Sequence, residues 1–144
     1  SLNDYDLLII GSGPQKKLLE EQYQYENVKF LGQLSNNKVK EILHESTAVV
    51  TATKLYEGPP TLLCEASLLQ VPSIFPDTGG VKEFFPKNTK YMFEQFNYRD
   101  LASKLESLSN LNQVDKEGKK NYDYLKEKLS ISKIKLSFDE IIQA

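Results

Sequence analysis

Asp6-Leu7-Leu8-Ile9-Ile10-Gly11-Ser12-Gly13-Pro14 is the stretch from which the architecture unfolds. A short continuous apolar run closed by a glycine turn has the pattern of a strand buried on both faces. A proline just past such a turn suits the start of a helix, where its missing N–H costs nothing. From Gln15 to about Tyr25 a polar run carries Leu18, Leu19 and Tyr23 at helical spacing, so the opening unit reads strand, glycine turn, helix. The alternation continues outward. Val28 to Phe30 is a second strand ending at Gly32, and Ser35 caps a helix with Val39, Ile42 and Leu43 on one stripe. The β-branched stretch Ala48 to Thr53 is a third strand.

After the loop Lys54 to Pro59, a helix is expected from about Pro60 to Leu69, then a strand over Val71 to Phe75 and a turn over Pro76 to Gly80. Val81 to Phe85 fits a helical turn or two, and Tyr91 to Phe93 a short last strand. Asn97 caps a helix with Leu101, Leu105 and Leu108 on one face, and the chain breaks near Asn110. Tyr122, Leu125 and Leu129, then Ile131, Ile134, Phe138, Ile141 and Ile142, make the tail helical. Strands alternating with helices imply an α/β domain: a Rossmann-like, doubly wound parallel sheet with helices on both faces and right-handed crossovers. Such sheets bind ligands at the carboxyl ends of their strands. The informative loops are therefore Gly11 to Pro14, Gly32 to Ser35, Lys54 to Pro60 and Pro76 to Gly80.

Composition excludes several classes. A chain of 144 residues, 26% charged with a formal net charge of -2, is a soluble domain without the basic field that attracts nucleic acid. No run approaches the roughly 18 apolar residues of a spanning helix, and no leader precedes the first strand, so the expected location is cytoplasmic. A single cysteine forms no internal disulfide, and with a single histidine it offers no zinc-ligand spacing, so no structural metal is expected. His44 reads as a surface or boundary residue, not a catalytic base, and Cys64 as a small buried hydrophobe.

Chemistry concentrates in Tyr56-Glu57-Gly58-Pro59-Pro60-Thr61-Leu62-Leu63-Cys64-Glu65-Ala66. One acid precedes a helix and a second lies about one turn inside it. The N–H groups of Gly58, Thr61 and Leu62 are candidate unpaired donors, and with the helix dipole they form an anion site. Two carboxylates flanking such a site suit a diphosphate carrying hydroxyl-rich groups on both sides, as a nucleotide sugar does. Glu65 falls on a largely apolar helix, where ribose hydroxyls, a lysine or backbone amides could each satisfy it.

Leu7 to Pro14 (LLIIGSGP), Val28 to Gly32 (VKFLG), Glu57 to Ala66 (EGPPTLLCEA) and Gly79 to Glu83 (GGVKE) together resemble the carboxy-terminal half of retaining glycosyltransferases of family 4, which have the GT-B fold. The two glutamates have seven residues between them. The likeness covers roughly residues 5 to 110, with residues 111 to 144 as carboxy-terminal helices that pack on this part or on a partner domain. It implies retaining transfer of a sugar from a nucleotide sugar, usually without metal or other cofactor, to a saccharide or lipid-linked acceptor in surface polysaccharide synthesis. Glu57 would lie against the donor sugar and reacting diphosphate, and Glu65 would hold the ribose. Gly58, Thr61 and Leu62 would offer amides to the diphosphate, and Leu31, Gly32 and Gln33 would border the base, with uridine preferred. Gly11, Gly13, Gly79 and Gly80 would admit close backbone approach or simply form tight turns.

Pro60 stands where the family often has glycine, and Lys82 where it often has proline. The family's half also opens with one more strand and helix, carrying an arginine and a lysine that clamp the diphosphate, and its acceptor is bound by an amino-terminal domain. The resemblance therefore implies a donor-binding half that does not turn over alone, with its sheet lacking a central strand. Its apolar tail predicts a dimer or an aggregation tendency in the isolated chain. A nucleotide-sugar epimerase of the same fold, or a non-catalytic interaction module, are the competing readings.

Overall fold

The computed structural model describes residues 5–135, and the chain divides between Ile42 and Leu43 into two compact units. In the first, β1 (Leu7–Ile10) and β2 (Val28–Gly32) are parallel and joined by α1 (Lys16–Gln22). The register runs Leu7 to Val28, Leu8 to Lys29 and Ile9 to Phe30, then slips so that Ile10 faces Gly32. The division falls within α2 (Asn36–Glu45), which opens after Ser35 as expected. Burial of β1 on both faces does not hold. Leu7 is 50% exposed and Leu8 37%, because an apolar strand needs a packed layer on each side and α1 buries none of its residues.

The second unit holds β3 (Val49–Val50), β4 (Ser73–Pro76) and β5 (Met92–Phe93), all parallel, in the order β3-β4-β5. Val49 pairs with Ser73 and Val50 with Ile74, and Thr51 N–H extends the ladder to the Ile74 carbonyl at 3.0 Å. Phe75 pairs with Met92 and Pro76 with Phe93. All four residues of central β4 are buried, as a strand covered on both faces requires. The core gathers Leu63 of α3 (Thr61–Leu68), Phe75, Val81 and Phe85, with the Phe75 and Phe85 rings stacked at 4.2 Å. Val81–Phe84 forms a 3₁₀ turn beside them.

Two asparagines start the next two helices. Asn97 Oδ1 accepts the Asp100 N–H at 3.0 Å ahead of α4 (Tyr98–Glu106), and Asn110 Oδ1 accepts the Gln113 N–H at 3.2 Å ahead of α5 (Leu111–Lys128). At its other end, α3 closes with Gln70 N–H on the Ser67 carbonyl and Val71 N–H on the Ala66 carbonyl, with Gln70 in the left-handed region at φ 60°. α5 packs across α3 and reaches this turn, and a Cβ on Gly118 would lie 1.9 Å from the Gln70 carbonyl oxygen. Buried Glu117 accepts the Lys90 N–H at 3.0 Å, and Lys120 lies 3.5 Å from its other oxygen.

The fold is α/β with parallel sheets and helices on both sides. Among the described residues the strands form two separately hydrogen-bonded sheets, β1-β2 and β3-β4-β5, in place of one continuous sheet. Helix resumes over 131–135, while the expected apolar positions Phe138, Ile141 and Ile142 lie outside the described residues.

Candidate functional site

The loop after β3 carries the first glutamate, and four contacts fix it. Thr53 Oγ1 donates to Glu57 Oε1 at 2.8 Å, and Leu55 N–H donates to Thr53 Oγ1 at 3.1 Å. From the loop after β4, Thr78 Oγ1 donates to the Leu55 carbonyl at 3.2 Å and Gly80 N–H to the Glu57 carbonyl at 3.0 Å. Glu57 is thereby half-buried, with one carboxylate oxygen held and no protein partner on Oε2 among the described residues.

Gly79 explains how the two loops come so close. It has φ +55°, and a Cβ there would meet the Glu57 carbonyl oxygen at 2.0 Å and its nitrogen at 2.8 Å. The space left by its missing side chain is filled by the main chain of Glu57, not left open for a ligand. Gly80 has ordinary room, its nearest neighbour being Glu83 at 3.8 Å, and a Cβ at Gly11, Gly13 or Gly58 would meet nothing within 4 Å. Lys82, at the position noted above, pairs with Asp77 at 2.9 Å. The hydrogen bond and charge of Asp77 raise its ammonium above the ordinary lysine value.

The start of α3 follows directly. Pro60 occupies the N-cap at φ -85°, ψ 83°, no side chain caps the helix, and its carbonyl accepts the Cys64 N–H at 2.9 Å. The N–H groups of Gly58, Thr61 and Leu62 donate to nothing among the described residues, and all three residues are exposed. They are open donors at the positive end of the helix. Glu65 lies one turn in and is half-buried, less enclosed than its apolar neighbours suggest. Burial first, and the neighbouring Glu65 carboxylate second, push the half-buried Cys64 thiol above its ordinary value. Cys64 should therefore react with iodoacetamide at pH 8 several-fold more slowly than a free thiol. Glu65→Gln should quicken that reaction; equal rates in the two proteins would leave burial as the sole cause.

In the first unit, the expected base-bordering loop and the first glycine turn lie side by side. Gly11 N–H donates to the Gly32 carbonyl at 2.8 Å, just where the β1-β2 register slips, and Ser12 Oγ reaches Gln33 Oε1 at 3.4 Å. Leu31 is 37% exposed. His44 is on the surface of α2. Among the described residues no three His, Cys, Asp or Glu side chains gather to hold a metal ion, and no helix is long and apolar enough to cross a membrane.

Sequence reading named Glu57, Gly58, Gly79 and Gly80 and missed Thr53 and Thr78. The available signal was slight: a threonine ending a β-branched run four residues before the acid, and another directly before the double glycine.

The model of the family described as "Glycosyl transferases group 1" matches residues 1–134. A putative teichuronic acid biosynthesis glycosyltransferase, TuaC of Bacillus subtilis, is 30% identical over 95 residues, covering 66% of this chain and 23% of that protein. The phosphatidylinositol N-acetylglucosaminyltransferase GPI3 subunit of Saccharomyces cerevisiae is 26% identical over 106 residues, covering 71% of this chain and 23% of its own length. This chain thus spans about a quarter of these curated relatives. Among solved structures, an S. aureus TarM mutant in complex with Fondaparinux, alpha-GlcNAc-glycerol and UDP superposes at TM-score 0.80 with 24% identity, over 99% of this chain and 30% of that one. Sucrose-phosphate synthase of Thermosynechococcus elongatus superposes at 0.76 with 20% identity, over 96% and 38%. At these identities the structural likeness speaks for the fold.

Proposed function

The chain belongs to the group 1 glycosyl transferases, and on that premise we propose that it is the donor-binding part of a retaining, family 4 enzyme. The reaction is transfer of a sugar from a nucleotide diphosphate sugar to a saccharide or lipid-linked acceptor in surface polysaccharide synthesis, in the cytoplasm. Residues 1–110 form the nucleotide-sugar-binding part and 111–144 the helices that pack on it or on a partner domain. The observation that carries the reading is the row of open donors at Gly58, Thr61 and Leu62, placed in sequence between one acid whose Oε2 is unengaged and a second acid in the following helix.

In the transfer, the bond from the anomeric carbon to the diphosphate oxygen breaks, and one to an acceptor oxygen forms. Negative charge grows on the leaving diphosphate. Amides and a helix dipole already aimed at that position stabilise the charge without reorganising. Glu57 faces the sugar, where a carboxylate favours the positive charge that develops at the anomeric carbon. Glu65 takes the ribose hydroxyls, each donating to a carboxylate oxygen.

The test is calorimetric titration of UDP, GDP and ADP at low salt into the protein and its Glu65→Gln variant. Binding is read directly and needs no acceptor. UDP is the expected ligand, as in the TarM complex. The substitution should weaken it by about 1 to 3 kcal/mol, the cost of an unmatched polar partner. Binding of no nucleotide, or binding that Glu65→Gln leaves unchanged, would count against the assignment.

A further inference from the structure

We propose that Thr53 is a positioning residue for the Glu57 carboxylate, holding Oε1 so that Oε2 faces the donor sugar before the sugar arrives. The inference rests on the reading of Glu57 given above. A threonine hydroxyl has one proton to donate and can accept in return. Here Leu55 N–H, at 3.1 Å, occupies the accepting side, and the proton goes to Glu57 Oε1 at 2.8 Å. The rotor is thus set by both neighbours. Threonine is also stiff about χ1, so the hydroxyl stands on a fixed stem.

A glutamate loses substantial rotamer freedom when it is ordered. The Thr53 contact meets that cost in the unliganded protein and leaves less of it to be met on binding, which is how a preorganised site gains affinity. The loop's main chain does not depend on the hydroxyl alone. Thr78 holds the Leu55 carbonyl and Gly80 holds that of Glu57, so removing the Thr53 hydroxyl should free the carboxylate while the loop stays in place.

The experiment measures UDP, UDP-glucose and UDP-N-acetylglucosamine binding calorimetrically to the wild-type chain and to Thr53→Val, Thr53→Ser, Glu57→Gln and the Thr53→Val/Glu57→Gln double variant. The readout is the ratio of affinities between the tighter sugar nucleotide and UDP. Thr53→Val should lower that ratio at least fivefold while leaving UDP affinity within twofold, Thr53→Ser should restore it, and the double variant should be no worse than Glu57→Gln. If Glu57→Gln lowers the ratio and Thr53→Val does not, the positioning role is overturned and the reading of Glu57 stands. If neither lowers it, or no probe binds the wild type, both fall. Equal loss of UDP and sugar nucleotide in Thr53→Val would make the residue merely structural and also overturn the proposal.

Discussion

Under the proposed function, Gly79→Ala should abolish the sugar-dependent part of nucleotide-sugar binding, and it should cost about 3 kcal/mol of stability. The backbone at φ +55° already disfavours an L side chain, by roughly 1 to 2 kcal/mol. The larger effect is steric. The new Cβ would sit 2.0 Å from the Glu57 carbonyl oxygen and 2.8 Å from its nitrogen, and main-chain atoms cannot swing aside as the end of a lysine can. The two loops must part, and the first bond lost is Gly80 N–H to Glu57 at 3.0 Å. Glu57 then leaves the position that Thr53 and Gly80 fix. Chemical denaturation gives the stability loss, and titration with UDP-sugar against UDP gives the functional one. A variant with the wild-type sugar-nucleotide preference would show that this loop contact is dispensable.

Gly118→Ala carries the second large effect, and its sign opposes helix propensity. In an exposed helix, replacing glycine by alanine gains about 1 kcal/mol. In α5 the added methyl would lie 1.9 Å from the Gln70 carbonyl oxygen and 2.9 Å from its carbon. That carbonyl is anchored at the end of α3, where Gln70 and Val71 both donate back into the helix. Relief requires α5 to lift from α3. The expected loss is about 3 kcal/mol, a fall in melting temperature of roughly 6 to 12 °C. Differential scanning calorimetry distinguishes the cases directly, since a rise in melting temperature would mean that the crossing has slack. Because α3 bears Glu65 and the open donors of Thr61 and Leu62, this variant should weaken UDP as well.

Elements with a local cause were legible in the sequence. Asn97 works as a cap because its amide needs only the N–H three residues on. What escaped reading depends on which segments meet. β1 has the same apolar character as β4, yet Leu7 and Leu8 are exposed, since burial is decided by the layers laid over a strand and not by its own residues. Gly79 was legible as a position requiring glycine, but its occupant, the main chain of Glu57, is set by a contact spanning more than 20 residues. Thr53 and Thr78 escaped for the same reason. A hydroxyl's partner is invisible until the loops are placed.

The loop that presents Glu57 is built from two kinds of atoms with separate duties. The main chain of Leu55 and Glu57 is what Thr53, Thr78 and Gly80 hold, while residues Leu55 and Tyr56 are 70% and 86% exposed and Lys54 is also in solvent. Substitutions at 54–56 that keep this main chain in place should therefore change the surface chemistry beside the acid without moving it. A lineage using this scaffold could diversify there without first acquiring compensating mutations in the core. An experimenter could likewise attach a reporter dye at position 56 and leave the carboxylate undisturbed.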